Sequence, residues 1–301
     1  MGLLDRRLLV LTGKGGTGKS TMTAALALAA SRRGKRVLVC EVTAKERVAD
    51  LLGRPQSGPQ IRELLPRLSS VHVRPQTAMR EYGIMILRSE MLYDLVFGRK
   101  IVKYFLEAAP SLAEIVQLGK VTWHAEKDFE GSRRRFDLVI LDAPATGHGL
   151  TLLTVPEVFL DLVHEGPLAA DMKWMQALLQ DEQRTQTCVV TMPEEMPVNE
   201  AIELYDALGK HSLPRGPVIL NSVFAPRISE QERVAVARGG PLLSAVADAA
   251  DAHEARAELS VRYEKVLREK VQQILPVPHV FDRQFGIAAL ERIGKALEPI
   301  L

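Results

Sequence analysis

The chain has 301 residues, with 39 Lys and Arg against 37 Asp and Glu, and 47% of its residues are hydrophobic. A chain of this length buries roughly three quarters of the surface that its unfolded form exposes, so it is expected to have a self-sufficient core, and global disorder is excluded. The net charge of +2 gives no reason to expect a polyanionic partner along the whole surface, and no nucleic-acid partner is predicted.

Cys40 and Cys188 each sit at the edge of an apolar run, as buried thiols often do, and their spacing suits neither a disulfide framework nor a zinc site. The segment Met1-Gly-Leu-Leu-Asp-Arg-Arg carries no secretory h-region, and no uncharged apolar stretch approaches the roughly 18 residues that span a bilayer. The expectation is a soluble cytoplasmic protein with no stable membrane insertion.

In chain order, Leu8–Thr12 is the first continuous apolar run, ended by glycine. An Ala/Leu-rich helix follows over 20–32 and breaks at Gly34. Further strands are predicted at 37–40, 71–73, 138–141, 187–191, 218–220 and 274–277, and an amphipathic helix closes the chain at Ile287–Leu297. This alternation predicts an α/β fold, a mainly parallel doubly wound sheet covered on both faces. Without an internal repeat or a low-complexity linker, residues 1–301 are expected to form a single domain.

Two long helical stretches, about 79–130 and about 156–183, interrupt the alternation. They carry five of the nine methionines: Met79, Met85, Met91, Met172 and Met175. The first is also rich in large apolar residues, among them Tyr82, Leu92, Phe97, Ile101 and Phe105. Two readings stand open: a helical layer packed on the sheet, or a subdomain whose adaptable groove binds apolar clients, since unbranched Met suits promiscuous surfaces.

Gly13-Lys14-Gly15-Gly16-Thr17-Gly18-Lys19-Ser20 fits G-x-x-x-x-G-K-[ST], directly after a strand and before a helix. The glycines allow the backbone to turn its N–H groups toward phosphate oxygens, and the helix start adds unpaired N–H groups and a positive dipole end. Lys19 is assigned to the β- and γ-phosphates of ATP, and the Ser20 hydroxyl to Mg²⁺. Asp142 ends the 138–141 strand where ligands of such sheets sit, and it is assigned to the same Mg²⁺ through a water.

The run from Lys14 through Lys19, Ser20 and Thr21 resembles the deviant phosphate loop of the family of arsenical-pump-driving and tail-anchored-protein-targeting ATPases. The MinD and ParA positioning ATPases and the nitrogenase iron protein share that loop. The resemblance implies nucleotide-sandwich dimers in which the lysine matching Lys14 reaches the phosphates held by the other subunit. A desolvated cation supplied in trans acts like an arginine finger, worth roughly 10³–10⁵ in rate.

Asp142-Ala-Pro-Ala-Thr-Gly-His148-Gly-Leu150 resembles the switch II segment of the same branch, and Pro193 to Glu200 also matches it. His148 is either a phosphate-sensing switch residue or a hydrogen-bonded turn histidine. The segments ending in Asn221 and Pro278, with Gly286 downstream, resemble the branch's adenine-binding elements, which makes Asn221 and Pro278 candidate adenine contacts.

Some departures narrow the reading. Where the family carries a water-positioning Asp after the second strand, Thr43 stands here, in Glu41-Val-Thr43-Ala-Lys-Glu46. A threonine orients water but does not take its proton near neutral pH, and a positioned base is worth about 10²–10⁴. Three explanations follow: Glu41 or Glu46 substitutes, hydrolysis is slow, or a partner subunit completes the site. The zinc CxxC, the arsenite cysteines and the cluster cysteine after switch II are all missing, and one phosphate loop means that any sandwich needs two chains.

The expected protein is a Mg-ATP-dependent switch ATPase, a homodimer or a heterodimer with a related ATPase, coupling nucleotide state to capture or release of a hydrophobic protein client. The alternatives are a positioning ATPase of the MinD or ParA kind and a regulatory pseudo-ATPase subunit.

Overall fold

The computed structural model describes residues 2–87, 89–91, 95, 111–227, 229, 231, 232, 234 and 244–301. Strand β1 (Leu8–Thr12) is followed by helix α1 (Lys19–Arg32), β2 (Val37–Glu41) and the short α2 (Val48–Leu51). Next come β3 (Arg62–Leu65), β4 (Leu68–His72), α3 (Pro75–Leu87) and α4 (Leu112–Glu126). A small hairpin, β5 (Phe129–Glu130) and β6 (Arg133–Arg134), leads into β7 (Leu138–Asp142), α5 (Thr146–Leu162) and α6 (Pro167–Gln180). The chain closes through β8 (Thr185–Thr191), α7 (Glu195–Lys210), β9 (Arg215–Val223), α8 (Ser244–Lys270), β10 (Ile274–Pro278) and α9 (Ile287–Leu297).

Eight strands form one sheet in the order β10-β9-β8-β1-β7-β2-β4-β3, parallel except for β3, which runs antiparallel to β4 at the edge. The doubly wound arrangement expected from the alternation is therefore present. Strand β1 shows why its apolar run is unbroken. Leu8 and Val10 pack into the core on one face, and Leu9 and Leu11 into the core on the other. A strand covered on both faces needs apolar side chains at every position. The first core is capped by α4–α7, and the second by α1 and α9. Leu290, Ile293 and Leu297 are buried in that second core, so the apolar face of the closing helix is spent on packing rather than offered to a membrane surface.

Several boundaries differ from the sequence reading. The strand expected at 71–73 runs from Leu68 to His72 and has a partner, β3, that was not anticipated, because Arg62 and Glu63 face solvent on a four-residue edge and carry no apolar signal. Among the described residues, the stretch 79–130 is interrupted at Ser89, holds most of α3 and all of α4, and turns into the hairpin at Phe129. Residues 92–94 and 96–110, which include Leu92, Phe97, Ile101 and Phe105, lie outside the described residues, as does the side chain of Met85. The stretch 156–183 is two helices, and Pro156 lies inside the first of them; the break falls at Gly166, whose φ of 102° suits glycine. Met172 and Met175 are buried in the core, while Met91 is 81% exposed. Among the described residues, no helix is long and apolar enough to cross a membrane.

Arg36 ties the start of β2 to the start of β7. Its backbone N–H and its guanidinium both donate to Asp137, at 2.8–3.1 Å. That hydrogen bonding holds the Asp137 carboxyl at about 2, against an ordinary 3.8. A depressed carboxyl stabilises the fold fully above its unfolded value and loses that contribution as the pH falls toward its folded value. Denaturant titrations are therefore expected to show stability falling between about pH 4 and pH 2. In Asp137→Asn, neutral-pH stability is lower and that acid step is shallower; an unchanged acid step in the variant contradicts the assignment.

Candidate functional site

Strand β1 ends at Thr12 in the middle of the sheet, between β8 and β7, and the chain turns over the carboxyl ends of the strands before α1 begins. Two positions in this turn leave no room for a side chain. Gly13 has a φ of 139°, and a side chain there would run into the Val190 carbonyl of β8; Gly18 has a φ of 93°, and a Cβ would run into the side-chain amide of Asn221. The loop is braced from within and without: Thr17 Oγ1 donates to the Lys14 carbonyl, and Asn221 Nδ2 donates to the Thr17 carbonyl, each at 2.9 Å.

Lys19 folds back over this turn. Its ammonium donates to the carbonyls of Gly13 and Lys14, both at 2.9 Å. Burial lowers its pKa, and the charge of Asp142 opposes that shift. Register places Asp142 beside Leu11 of β1 and beside Glu41 of β2. Asp142 is fully buried; it accepts the Ser20 hydroxyl at 2.6 Å and the Thr23 hydroxyl at 3.4 Å. Burial pushes its carboxyl up to about 6, against the hydrogen bonds and the Lys19 charge.

These donors fit Mg²⁺. A hydroxyl and a carboxylate are hard oxygen ligands, and a carboxylate that is expensive to ionise when bare gains from a nearby cation. Among the described residues there is no cluster of three or more His, Cys, Asp or Glu that could hold a metal ion.

A cavity of about 880 Å³ opens over the loop, lined by Gly16, Gly18, Lys19, Ser20 and Thr21, by Ala145 after β7, and by Phe285 from before α9. Its other wall is the segment after β2, where Thr43 stands half-buried with Oγ1 donating to the Lys45 carbonyl at 2.8 Å. Neither glutamate of that segment lines the cavity. Glu41 Oε1 caps the start of α2 by accepting the N–H groups of Arg47 and Val48, while its Oε2 is buried without a partner. Burial pushes the Glu41 carboxyl up to about 7. Glu46 is turned away and accepts the N–H groups of Ser57 and Gly58. Asp50 of α2 is the carboxylate in the cavity lining.

The remaining sequence candidates fall as follows. Lys14 does not join Lys19 on the loop carbonyls; its ammonium pairs with Glu200 on α7 of the same chain. Gly15 is exposed at the loop's crest, and His148 is exposed in the first turn of α5. Asn221 stands behind the phosphate loop rather than in the cavity lining. Pro278, at the end of β10, borders a separate hollow with His279 and Phe281. Asp50 and Phe285 were not picked out in the sequence reading, and Glu200 entered it only as the end of the Pro193–Glu200 match, with no role given. The one available signal is positional, since each follows a strand whose carboxyl end points to the same edge.

The family model described as anion-transporting ATPase matches residues 6–166, a span that includes the loop, Thr43, Asp142 and His148. ATPase BagA of Mycobacterium tuberculosis is 30% identical over 244 residues, covering 77% of this chain and 70% of that protein. The arsenical pump-driving ATPase of Escherichia coli is 28% identical over 228 residues, covering 73% of this chain and 35% of that protein. ATPase GET3B of Arabidopsis thaliana is 24% identical over 280 residues, covering 75% and 66%.

The brace from Asn221 generates a direct test. Removing it in Asn221→Ala leaves the Thr17 carbonyl without that donor and loosens the turn, an effect of order 1–3 kcal/mol. Calorimetry with ADP is expected to show binding weaker by about tenfold with the fold intact; unchanged affinity contradicts the bracing role.

Proposed function

The chain belongs to the anion-transporting ATPase family and is an ATPase, and from this membership and the geometry of its loop we propose that it works as a Mg-ATP-dependent dimeric switch. The observation that carries this reading is the division between the two lysines. Lys19 sits on the carbonyls of its own loop, where β- and γ-phosphate oxygens arrive, while Lys14 pairs with Glu200 and is not committed to that loop. A cation on the phosphate loop itself, yet held by an exchangeable carboxylate, suits delivery to a nucleotide on a second subunit.

In this reading the loop N–H groups and Lys19 hold the triphosphate, and Ser20 with Asp142 would hold Mg²⁺, which supplies charge neutralisation across the β- and γ-phosphates when bound. Asp142 stays ionised by accepting from Ser20 and Thr23. Thr43 orients the attacking water but takes no proton from it, so turnover is slow. Pro278 is proposed for the adenine end, and Asn221 for holding the loop through the Thr17 carbonyl. Slow hydrolysis gives a long-lived closed state, which suits capture and release of a client better than rapid cycling. Thr43 also favours a second form of the same reading, in which a related ATPase subunit pairs with this chain and completes the site.

Lys19→Ala is expected to abolish phosphate release. Lys14→Ala should keep nucleotide affinity and lose turnover by 10³-fold or more, on the order expected for a trans cation; normal turnover in that variant contradicts the trans role. Thr43→Asp is expected to raise the hydrolysis rate by roughly 10²-fold, the lower end of what a positioned base supplies, and no increase contradicts the assignment of slow turnover to this position.

A further inference from the structure

The helical layer holds a second cavity, about 400 Å³, between α3, α4 and α6. That volume lies within the range of small-molecule sites. It shares no lining residue with the cavity over the phosphate loop. Both tryptophans of the chain, Trp123 and Trp174, line it together with Tyr82 and Met175. Such walls offer flat π faces and a polarizable thioether, surfaces that favour a planar ring over a branched aliphatic group.

The charges around the cavity are mostly engaged. Lys120 pairs with Glu81 at 2.7 Å, and Asp171 accepts the Tyr82 hydroxyl at 3.1 Å. His124 is buried in the wall with Nδ1 paired to Asp128 at 2.8 Å. Lys127 differs. It is exposed just past the end of α4, with its ammonium 3.6 Å from the Trp174 ring centroid, and among the described residues no carboxylate lies within ion-pair distance of it. The lining thus holds one balanced pair, Lys120 with Glu81, and one carboxylate, Asp171, bound to a neutral hydroxyl, while the Lys127 ammonium rests on an aromatic face at the rim, where it is set to receive an anion.

We propose that this cavity binds a small aromatic carboxylate, its ring stacked on the tryptophan faces and its carboxylate on the Lys127 ammonium. The site stands independently of the nucleotide-switch reading. Gly119 on the α4 wall offers a way to close it: a Cβ there meets Met175 Sδ at 3.9 Å, an ordinary contact, and any further atoms of a larger side chain compete with a ligand for the cavity.

The test is calorimetric titration of the full chain with 2-naphthoate, with the uncharged isostere 2-naphthamide as the comparison ligand. The expected result is saturable one-to-one binding of the acid, weaker by about tenfold for the amide and for Lys127→Gln, as for loss of a charged hydrogen bond, and abolished in Gly119→Leu. Lys127 is exposed, so its variant folds whatever the fate of the helix variant. Absence of saturable binding overturns the proposal, as does equal affinity for the amide. Unchanged binding in both Lys127→Gln and Gly119→Leu also overturns it, because the acid then binds elsewhere.

Discussion

The rest of the site depends on one buried carboxylate. Asp142 has no exposed surface, and its carboxyl is pushed up to about 6. Relative to an ordinary 3.8, that corresponds to roughly 3 kcal/mol against keeping it ionised. That cost is what remains after Ser20, the charge of Lys19 and Thr23, all of them in the first turns of α1, have worked against burial. The carboxylate therefore fixes where α1 begins relative to β7, and with it where the loop N–H groups face. The parallel register of β1 with β7 and of β7 with β2 brings Leu11, Asp142 and Glu41 into one row at the carboxyl edge. Of the two raised carboxyl groups in that row, Glu41 is spent capping α2, and Asp142, held by the Ser20 hydroxyl, is the one that gains from a nearby cation.

The two lysines of the loop show how the same side chain takes opposite tasks from its surroundings. Lys19 is drawn inward by two carbonyls of the loop, and burial lowers its pKa. Lys14 is drawn outward by Glu200, on a helix that follows the next strand of the sheet. The contact is between half-exposed groups, so it is weak by nature and readily exchanged for a better anion. Under the proposed dimeric switch, this pair would be where the cation rests before a second subunit's phosphates receive it.

Much of this was legible in the sequence because its determinants are local. Gly13 through Ser20 are consecutive, Asp142 directly ends an apolar run, and the alternation of apolar runs with helical stretches prescribes a parallel sheet. What stayed hidden depends on contacts across long separations or on residues with little hydrophobic contrast. Nothing in the chain announces that Asn221 bonds the Thr17 carbonyl or that Glu200 meets Lys14. Helix α8 runs for 27 residues unanticipated because its buried positions include Ala250, Glu254, Ala257 and Ser260, whose small or polar side chains leave a faint stripe. The candidate bases near Thr43 illustrate the same limit: both glutamates were near in sequence, yet each is engaged by backbone N–H groups and neither lines the cavity.

The account turns on whether ATP draws two chains together, and static light scattering of the purified chain with and without Mg²⁺-ATP, with phosphate release followed on the same sample, tests this most directly. The account predicts a mass that doubles from that of the 33.3 kDa chain when Mg²⁺-ATP is added and returns as ATP is slowly consumed. A chain that stays at its single mass while hydrolysing ATP contradicts it.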